Sequence, residues 1–308
     1  MDQSRRIDDK RDESSSLRDR KTIVDYLLVL LFIILVFVTF APMINIFARS
    51  FSGANAISLG QVFLWPVDWQ TDAYRLVLMD SAYTTSLWFT TYLTVTAVVV
   101  SLTLVILTAF PLTYDNLKGR RVFTFMMIFT MFFGVGMVPN FILMRDLNLL
   151  NTFWVLVIPN AIGVVNVILM RAFFFGIPAS LKESAEVEGA NPFQILVKIY
   201  LPLSAPVLAT ISLFIAIGRW NGFADALIYI MPSHRHLFPI QLLLNQLINA
   251  ATNIETAAME GLGGLDFGGL TESLRAATIM IATVPILLIY PWLQRYFIAG
   301  VTLGAVKE

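Results

Sequence analysis

Four neighbouring residues combine a cation, an indole ring, an amide and a carboxylate: Arg219, Trp220, Asn221 and Asp225. An indole can stack on a sugar ring, an amide can form hydrogen bonds with hydroxyl groups, and a guanidinium can bind a carboxylate through a bidentate pair of hydrogen bonds. Charged groups inside apolar stretches are costly and indicate function by default. Arg219 could face Asp225 across nearly two helical turns, or bind the carboxylate of a ligand. A structural interpretation is also open, because a buried Trp usually packs and Arg219 could pair with another helix or with a partner subunit. The sequence leaves a substrate pathway and internal pairing both open here.

Other reactive chemistry finds little support in the chain. It has no cysteine, which excludes disulfides and thiolate metal sites. It contains no HExxH, GxSxG or P-loop pattern, and the glycine run at 261–270 lacks the P-loop lysine. His234 and His236 flank Arg235 and are interpreted as ordinary loop residues. We therefore expect no catalytic residue, no metal ligand and no cofactor in this chain.

The composition is that of a membrane protein, with 57% hydrophobic and only 14% charged residues in 308. A span needs about 20 apolar residues. Segments between charged residues predict an all-α protein with six membrane-spanning helices. The predicted spans are 25–48, 86–110, 121–145, 146–171, 198–229 and 275–295.

Lys and Arg placement predicts the orientation, because cytoplasmic loops are enriched in both. With the N-terminus inside, the inner segments carry 15 and the outer segments 5 of the 21, with Arg219 inside a span. Both termini are thus expected in the cytoplasm. The predicted organisation is a tail (1–24), a separable first helix (25–48), an outer segment (49–85), a five-helix core (86–298) and a C-terminal tail (299–308). The core includes an inner loop at 179–203 and an outer loop at 231–273, interpreted as an interfacial helix and a flexible glycine-rich stretch.

The inner loop contains signals for two short helices rather than a simple turn. Ser180 and Glu183 predict a capping box that starts the first helix after Pro178. Gly189 suits the left-handed position that ends a helix. The run 191–194, Asn-Pro-Phe-Gln, then predicts a second capped start.

The face of the first helix is small and acidic. Glu183, Glu186 and Ala190 lie near one face at helical spacing, with Ala185 alongside. Such a face can insert into a groove on a partner protein. An amphipathic loop at the membrane interface, with Glu183 acting only as a cap, fits the local physics equally well.

Spacing favours the first interpretation. Glu183, Ala185 and Gly189, then nine residues, then Ile-Tyr-Leu-Pro at 199–202, resemble the EAA motif of ABC-importer permeases, EAA-x3-G-x9-I-x-LP. Ser184 replaces the usual alanine, and Glu188 replaces a common aspartate; both changes are conservative in size or charge.

The resemblance extends over roughly residues 80–308. The run Asn151–Pro178 and the pair Trp220-Asn221 are similar to carbohydrate-type permeases related to the second permease of the maltose system. The ending from Pro285 is similar to the subgroup for complex or uronic oligosaccharides, of the lipoprotein, aldouronate and alginate type.

This resemblance implies the type I importer permease fold, a multi-pass position in the cell membrane, and a coupling helix that docks on an ATPase. It implies a second permease, two ATPases that bind ATP and Mg²⁺, an extracytoplasmic binding protein and an oligosaccharide cargo, which could be uronic. No nucleic acid is expected. The residues implied in coupling are Glu183, Ser184, Ala185, Glu186, Gly189, Ala190, Leu201 and Pro202.

Three rival functions differ from this one. A permease of the same family could carry a neutral sugar or another polar solute. A stand-alone secondary carrier would need paired ionisable groups at mid-membrane, for which only Arg219 and Asp225 qualify. An intramembrane enzyme would need catalytic patterns that the sequence lacks.

Overall fold

The regular structure described here is helical, as predicted. The computed structural model describes residues 23–259 and 268–305. The α-helices are α1 (Ile23–Ser50), α2 (Ala54–Ser58), α3 (Asp72–Met79), α4 (Ser81–Ala109), α5 (Arg120–Phe132), α6 (Met137–Asp146), α7 (Val164–Phe175), α8 (Ala179–Val187), α9 (Pro192–Ile195), α10 (Leu201–Leu203), α11 (Ala205–Trp220), α12 (Ala224–Tyr229), α13 (Ile240–Met259) and α14 (Gly268–Ala305). Short 3₁₀ turns occupy Pro111–Thr113, Phe153–Leu156, Ile158–Asn160 and Pro232–Leu237, and a π-helical turn occupies Leu196–Tyr200.

Three continuous helical segments are long and apolar enough to cross a bilayer: Val24–Ser50, Ser81–Thr113 and Gly268–Leu288. Three more candidates are helix pairs bent at a short break. These pairs are Arg120–Phe132 with Met137–Asp146 (117°), Phe153–Asn160 with Val164–Phe175 (51°), and Pro192–Leu203 with Ala205–Trp220 (82°). Counting each pair as one span gives the predicted six.

The predicted third span differs most from the structure. The sequence predicts one helix over 121–145. Instead the chain breaks at Gly134 and Gly136, and Gly136 has a φ of +85°, which a helix interior cannot accommodate. No described atom lies within 4 Å of a Cβ placed on either glycine, so they end a helix rather than admit a neighbour.

Several predicted boundaries also move. The second span begins at Ser81 instead of residue 86, and the outer segment before it contains α2 and α3. The expected C-terminal tail at 299–308 is helical as far as Ala305. The interfacial helix predicted in the outer loop corresponds to α13, whereas its glycine-rich stretch falls largely on 260–267, outside the described residues.

The core forms around α4, which packs most extensively against α11. One stripe of α4 is buried at helical spacing: Ser86, Thr90, Leu93, Ala97, Ser101, Val105 and Ala109. One buried cluster joins its C-terminal end, Phe110, to Phe174 of α7, Tyr200 of the π-turn and Ile211 of α11. A second joins Leu93 to the 3₁₀ turns near Leu156 and to α12 and α13. Small residues in the stripe let the neighbouring helices approach closely.

The first helix packs along α14, although every residue from Val24 to Phe40 is exposed in the isolated chain. Near its C-terminal end, Arg49 forms a 3.0 Å ion pair with Glu272 of α14. Glu272 also pairs with Arg275 at 2.9 Å, a three-residue cluster that sequence reasoning missed.

Candidate functional site: the coupling hairpin and the polar pocket

The helix α8 begins at Ala179, just after Pro178 as predicted, but without the predicted cap. Pro178, with extended ψ of 129°, is the N-cap residue, and no side chain caps this end within the described part of the chain. Ser180 is therefore the second helical residue, and its hydroxyl cannot occupy the N-cap position. The predicted Ser180–Glu183 capping box is wrong, and Glu183 is relieved of that structural role.

Gly189 forms the predicted corner. Its φ is +84°. The Ala190 N–H donates to the Ala185 carbonyl at 2.9 Å, and the Gly189 N–H donates to the Glu186 carbonyl at 3.1 Å, the two bonds of a Schellman motif. No described atom lies within 4 Å of a Cβ built on Gly189, so space above the corner is open.

The second helix restarts as predicted. The Asn191 side chain accepts from the Gln194 N–H, the Gln194 side chain accepts from the Asn191 N–H, each at 2.9 Å, and Pro192 occupies the first turn. The chain then passes through the π-turn and α10, and at Ser204 it bends into α11. Leu201 is half-buried against the core cluster, whereas Pro202 is exposed.

Two alanines of the hairpin face the bundle, whereas Glu183 and Ser184 face outward. Ala185 and Ala190 pack against the core cluster around Phe110. We had placed these alanines on the partner-facing side, but their methyl groups instead fill the contact with the bundle. Glu183 and Ser184 are exposed, and within the described residues no hydrogen bond or ion pair engages the Glu183 carboxylate.

Lys182 ties α8 to the end of α4. Its Nζ lies 3.7 Å from the centroid of the Tyr114 ring, and 3.8 Å from the Glu186 carboxylate. Burial, and then the charge of Glu186, raise the pKa of the Tyr114 phenol, so the ring stays neutral beneath the cation. The hairpin is thereby fixed to the bundle on one side and open on the other.

Three of the four residues that open the sequence analysis, Arg219, Asn221 and Asp225, line a pocket at the C-terminal end of α11. The Asp225 carboxylate accepts from Arg219 Nη1 at 3.0 Å and from Asn160 Nδ2 at 2.9 Å, through the same oxygen, Oδ2. The cavity has a volume of about 420 Å³, and Asn166 and Asn221 also line it. The pairing of Arg219 with Asp225 is one of the alternatives that the sequence leaves open.

Trp220 lies apart from this pocket. It is 7% exposed, and its indole Nε1 donates to the Ala282 carbonyl of α14 at 2.9 Å. That contact favours packing over sugar stacking. Asn221 is exposed at the pocket rim. The bond from Asn160 to Asp225, 65 positions away, joins two distant segments of the chain at this pocket.

Residues 102–303 match the protein family described as the inner membrane component of binding-protein-dependent transport systems. The chain belongs to this family. Membership identifies it as a transport permease subunit rather than an enzyme, and it argues against a stand-alone carrier.

Two similar proteins cover most of the chain. The polygalacturonan/rhamnogalacturonan transport system permease YtcP of Bacillus subtilis is 37% identical over 86% of this chain and 92% of its own length. A crystal structure of a bacterial ABC transporter involved in the import of the acidic polysaccharide alginate is 38% identical, with a TM-score of 0.80 over 89% of this permease and 96% of that chain.

A third comparison supports the fold only. A chain from a bacterial alginate ABC transporter, crystallised in complex with an alginate pentasaccharide-bound periplasmic protein, has a TM-score of 0.56 at 19% identity. The permease fold predicted from the EAA-like spacing is confirmed.

Proposed function

We propose that this permease is one of two permease subunits in an ATP-driven importer of oligosaccharides, and that the ATPases act on it through the hairpin 179–203. The carrying observation is the orientation of α8. Ala185 of α8 and Ala190, just beyond the corner, pack on the bundle, the corner is held by two hydrogen bonds, and the Glu183 carboxylate is exposed without a partner in the described structure. A helix held in this way transmits a displacement to the bundle instead of folding away.

The proposed assembly comprises a second permease, two ATPase subunits that bind ATP and Mg²⁺, and an extracytoplasmic binding protein. In physical terms the ATPases bias a two-state bundle through their different contacts with its two states. The similar alginate transporter in complex with a periplasmic protein supports the binding-protein partner. This chain needs no cofactor of its own in the proposed cycle.

The proposed cargo is an acidic oligosaccharide. Its support is that the two similar proteins are a polygalacturonan/rhamnogalacturonan transport permease and a transporter involved in the import of the acidic polysaccharide alginate. In the pocket, Asp225 already supplies a carboxylate to Arg219. We propose that a uronate carboxylate competes with Asp225 for Arg219 while Asn221 bonds a sugar hydroxyl. A neutral sugar, which cannot compete in this way, is the alternative cargo.

The proposed topology places both termini and the hairpin in the cytoplasm. The distribution of 15 inner against 5 outer Lys and Arg residues supports it. The chain lacks cysteine, so single cysteines introduced at the exposed positions Ser180 and Asn55 can be labelled without background. A membrane-impermeant maleimide is expected to label Asn55→Cys in intact cells and Ser180→Cys only after lysis. The reverse pattern would invert the topology.

Coupling is tested with Glu183→Gln in the assembled importer. If Glu183 makes a charge-assisted bond to an ATPase, its loss weakens association of the ATPase subunits by about ten- to a hundredfold. Co-purification of the ATPases and ATP-dependent uptake into proteoliposomes are measured together. Glu188→Gln, which neutralises another exposed carboxylate of the hairpin, is the control. Unchanged uptake in Glu183→Gln and in Gly189→Ala would refute the coupling assignment.

The cargo is tested by matched substrates. Uptake of an oligogalacturonate and of its methyl ester, equal in length but uncharged, is compared in wild-type protein and in Arg219→Gln. Competition for Arg219 predicts a selective loss of uptake of the free acid. An equal loss for both substrates would assign Arg219 to packing alone, whatever the result for Glu183.

A further inference from the structure

A cavity at the start of α5 has three arginines in its lining and no established role. It measures about 330 Å³ and lies between α5 and α7, lined by Arg120, Arg121, Thr124, Phe125, Ile128 and Arg171. It is at the same end of the bundle as the hairpin, because Arg171 lies in the last turns of α7, eight residues before α8 begins at Ala179. The pocket around Arg219 is lined by different residues.

The charges around this cavity are incompletely neutralised. Arg120 forms a 2.6 Å ion pair with the exposed Asp115. Arg171 donates from Nε to the Leu112 carbonyl at 3.1 Å, and its guanidinium carbon lies 5.0 Å from the Phe175 ring centroid, so a neutral partner holds it. Arg121 is exposed, and no carboxylate pairs with it in the described residues. Two net positive charges remain beside the cavity.

The helix itself adds to this positive potential. Arg120 and Arg121 occupy the first turn of the 13-residue α5, where the macrodipole favours acidic residues over basic ones. Gly119, the N-cap residue with a φ of +83°, has no side chain to accept from the first-turn N–H groups. An anion at this position would meet backbone donors and guanidinium groups together.

Apart from the arginines and Thr124, the lining is apolar and follows the helix toward the membrane. Phe125 and Ile128 lie four and seven positions after Arg121, on the same face, and are 65% and 38% exposed. A soluble anion would gain nothing from these side chains. A molecule with an anionic head and apolar chains would contact both the arginines and this apolar face.

We propose that the cavity binds the headgroup of an anionic phospholipid from the cytoplasmic leaflet, with an acyl chain along Phe125 and Ile128. The leaflet follows from the proposed topology; the binding itself needs neither cargo nor ATP turnover. Basic pockets between membrane helices on the cytoplasmic side commonly take such headgroups. An anionic lipid would thereby be fixed beside the base of the hairpin.

The test uses the complete importer purified in dodecyl maltoside and native mass spectrometry. Phosphatidylglycerol, phosphatidylcholine and glycerol 3-phosphate are titrated onto wild-type protein, Arg121→Gln and Lys118→Gln. Lys118 is an exposed cation in the loop just before α5. It does not line the cavity, so it controls for general charge. Arg121→Gln is expected to weaken phosphatidylglycerol binding about fivefold, while Lys118→Gln leaves it within twofold.

Phe125→Ala tests the acyl-chain contact and is expected to weaken phosphatidylglycerol binding without affecting glycerol 3-phosphate. Equal phosphatidylglycerol binding by Arg121→Gln and Lys118→Gln would overturn the proposal. So would glycerol 3-phosphate binding as tight as that of the lipid, which would indicate a soluble anion. Loss of ATPase or permease subunits from Arg121→Gln with unchanged lipid binding would assign the cavity to a protein partner instead.

Discussion

The hairpin and the polar pocket treat their charges in opposite ways. In the hairpin, the backbone groups at the corner and restart are satisfied locally, but Glu183 faces outward without a partner in the described structure. In the pocket, Arg219, Asp225 and Asn160 satisfy one another. Under the proposed function, Glu183 can bind a partner subunit directly, whereas Arg219 must exchange Asp225 for another carboxylate before it binds cargo. The hairpin is thus fixed on the bundle with an outward-facing carboxylate, and the charges of the pocket are paired with one another.

The largest expected effect on stability comes from breaking the pair in the pocket. Asp225→Asn keeps the shape but leaves Arg219, whose side chain is 13% exposed, without its counter-charge. We expect a loss of about 2 kcal/mol in the free energy of unfolding, below the value for a fully buried pair because Asp225 is partly exposed. Sodium dodecyl sulfate titration in mixed micelles, followed by circular dichroism, measures it.

Two further variants sharpen this prediction. The double variant Arg219→Gln, Asp225→Asn removes both charges and should recover part of the loss. Arg145→Gln breaks a pair whose side chains are each 60% exposed and should change stability by less than about 0.5 kcal/mol. Strict additivity in the double variant would mean that the two charges are not coupled.

At the hairpin corner the expected effect is smaller. Gly189→Ala places a Cβ in open space but forces alanine to a φ of +84°, at a cost of about 1 kcal/mol. Gly218→Ala, also in open space but at an ordinary helical φ in α11, is the matched control and should stabilise by roughly 0.5 kcal/mol. The same titration distinguishes them, and effects of equal sign would contradict the backbone explanation.

The smallest effect separates the two helix starts of the hairpin. Asn191→Ala removes one capping bond and should lower the free energy of unfolding by about 1 kcal/mol at most. Ser180→Ala should cost almost nothing, because Ser180 is inside α8 and not at its cap. Amide hydrogen exchange at residues 179–196 reports both starts. Greater opening in Ser180→Ala than in Asn191→Ala would restore the predicted first capping box.

Local chemistry explains why parts of the hairpin were predictable from sequence. Gly189 and the run 191–194 specify their conformations through neighbours only a few residues away. The capping prediction for Ser180 was wrong for an equally local reason, because Pro178 takes the N-cap position two residues earlier. Hydropathy predicted six spans but not the break at Gly134 and Gly136, because both arms of the bent pair are similarly apolar.

The pocket could be predicted only in part. Arg219 and Asp225, six positions apart, meet because α11 ends at Trp220 and the chain turns before α12 begins at Ala224. Their proximity followed from spacing, but the contribution of Asn160 depends on tertiary packing. The exposure of Glu183 likewise depends on tertiary packing, because α8 contacts the bundle through Ala185.

The second arm of the hairpin, Pro192–Leu203, and α11 meet at Ser204 in an 82° bend, which acts as an elbow between them. At 1.5 Å per residue, Arg219 lies about 21 Å from this elbow along the helix. A rotation of about 5° about the elbow would then carry Arg219 about 2 Å sideways. That travel is comparable to the 3.0 Å separation of Arg219 from Asp225. If Asn160 and the core contacts of α12 hold Asp225 in place, a rotation of this size breaks the Arg219–Asp225 ion pair without bending α11.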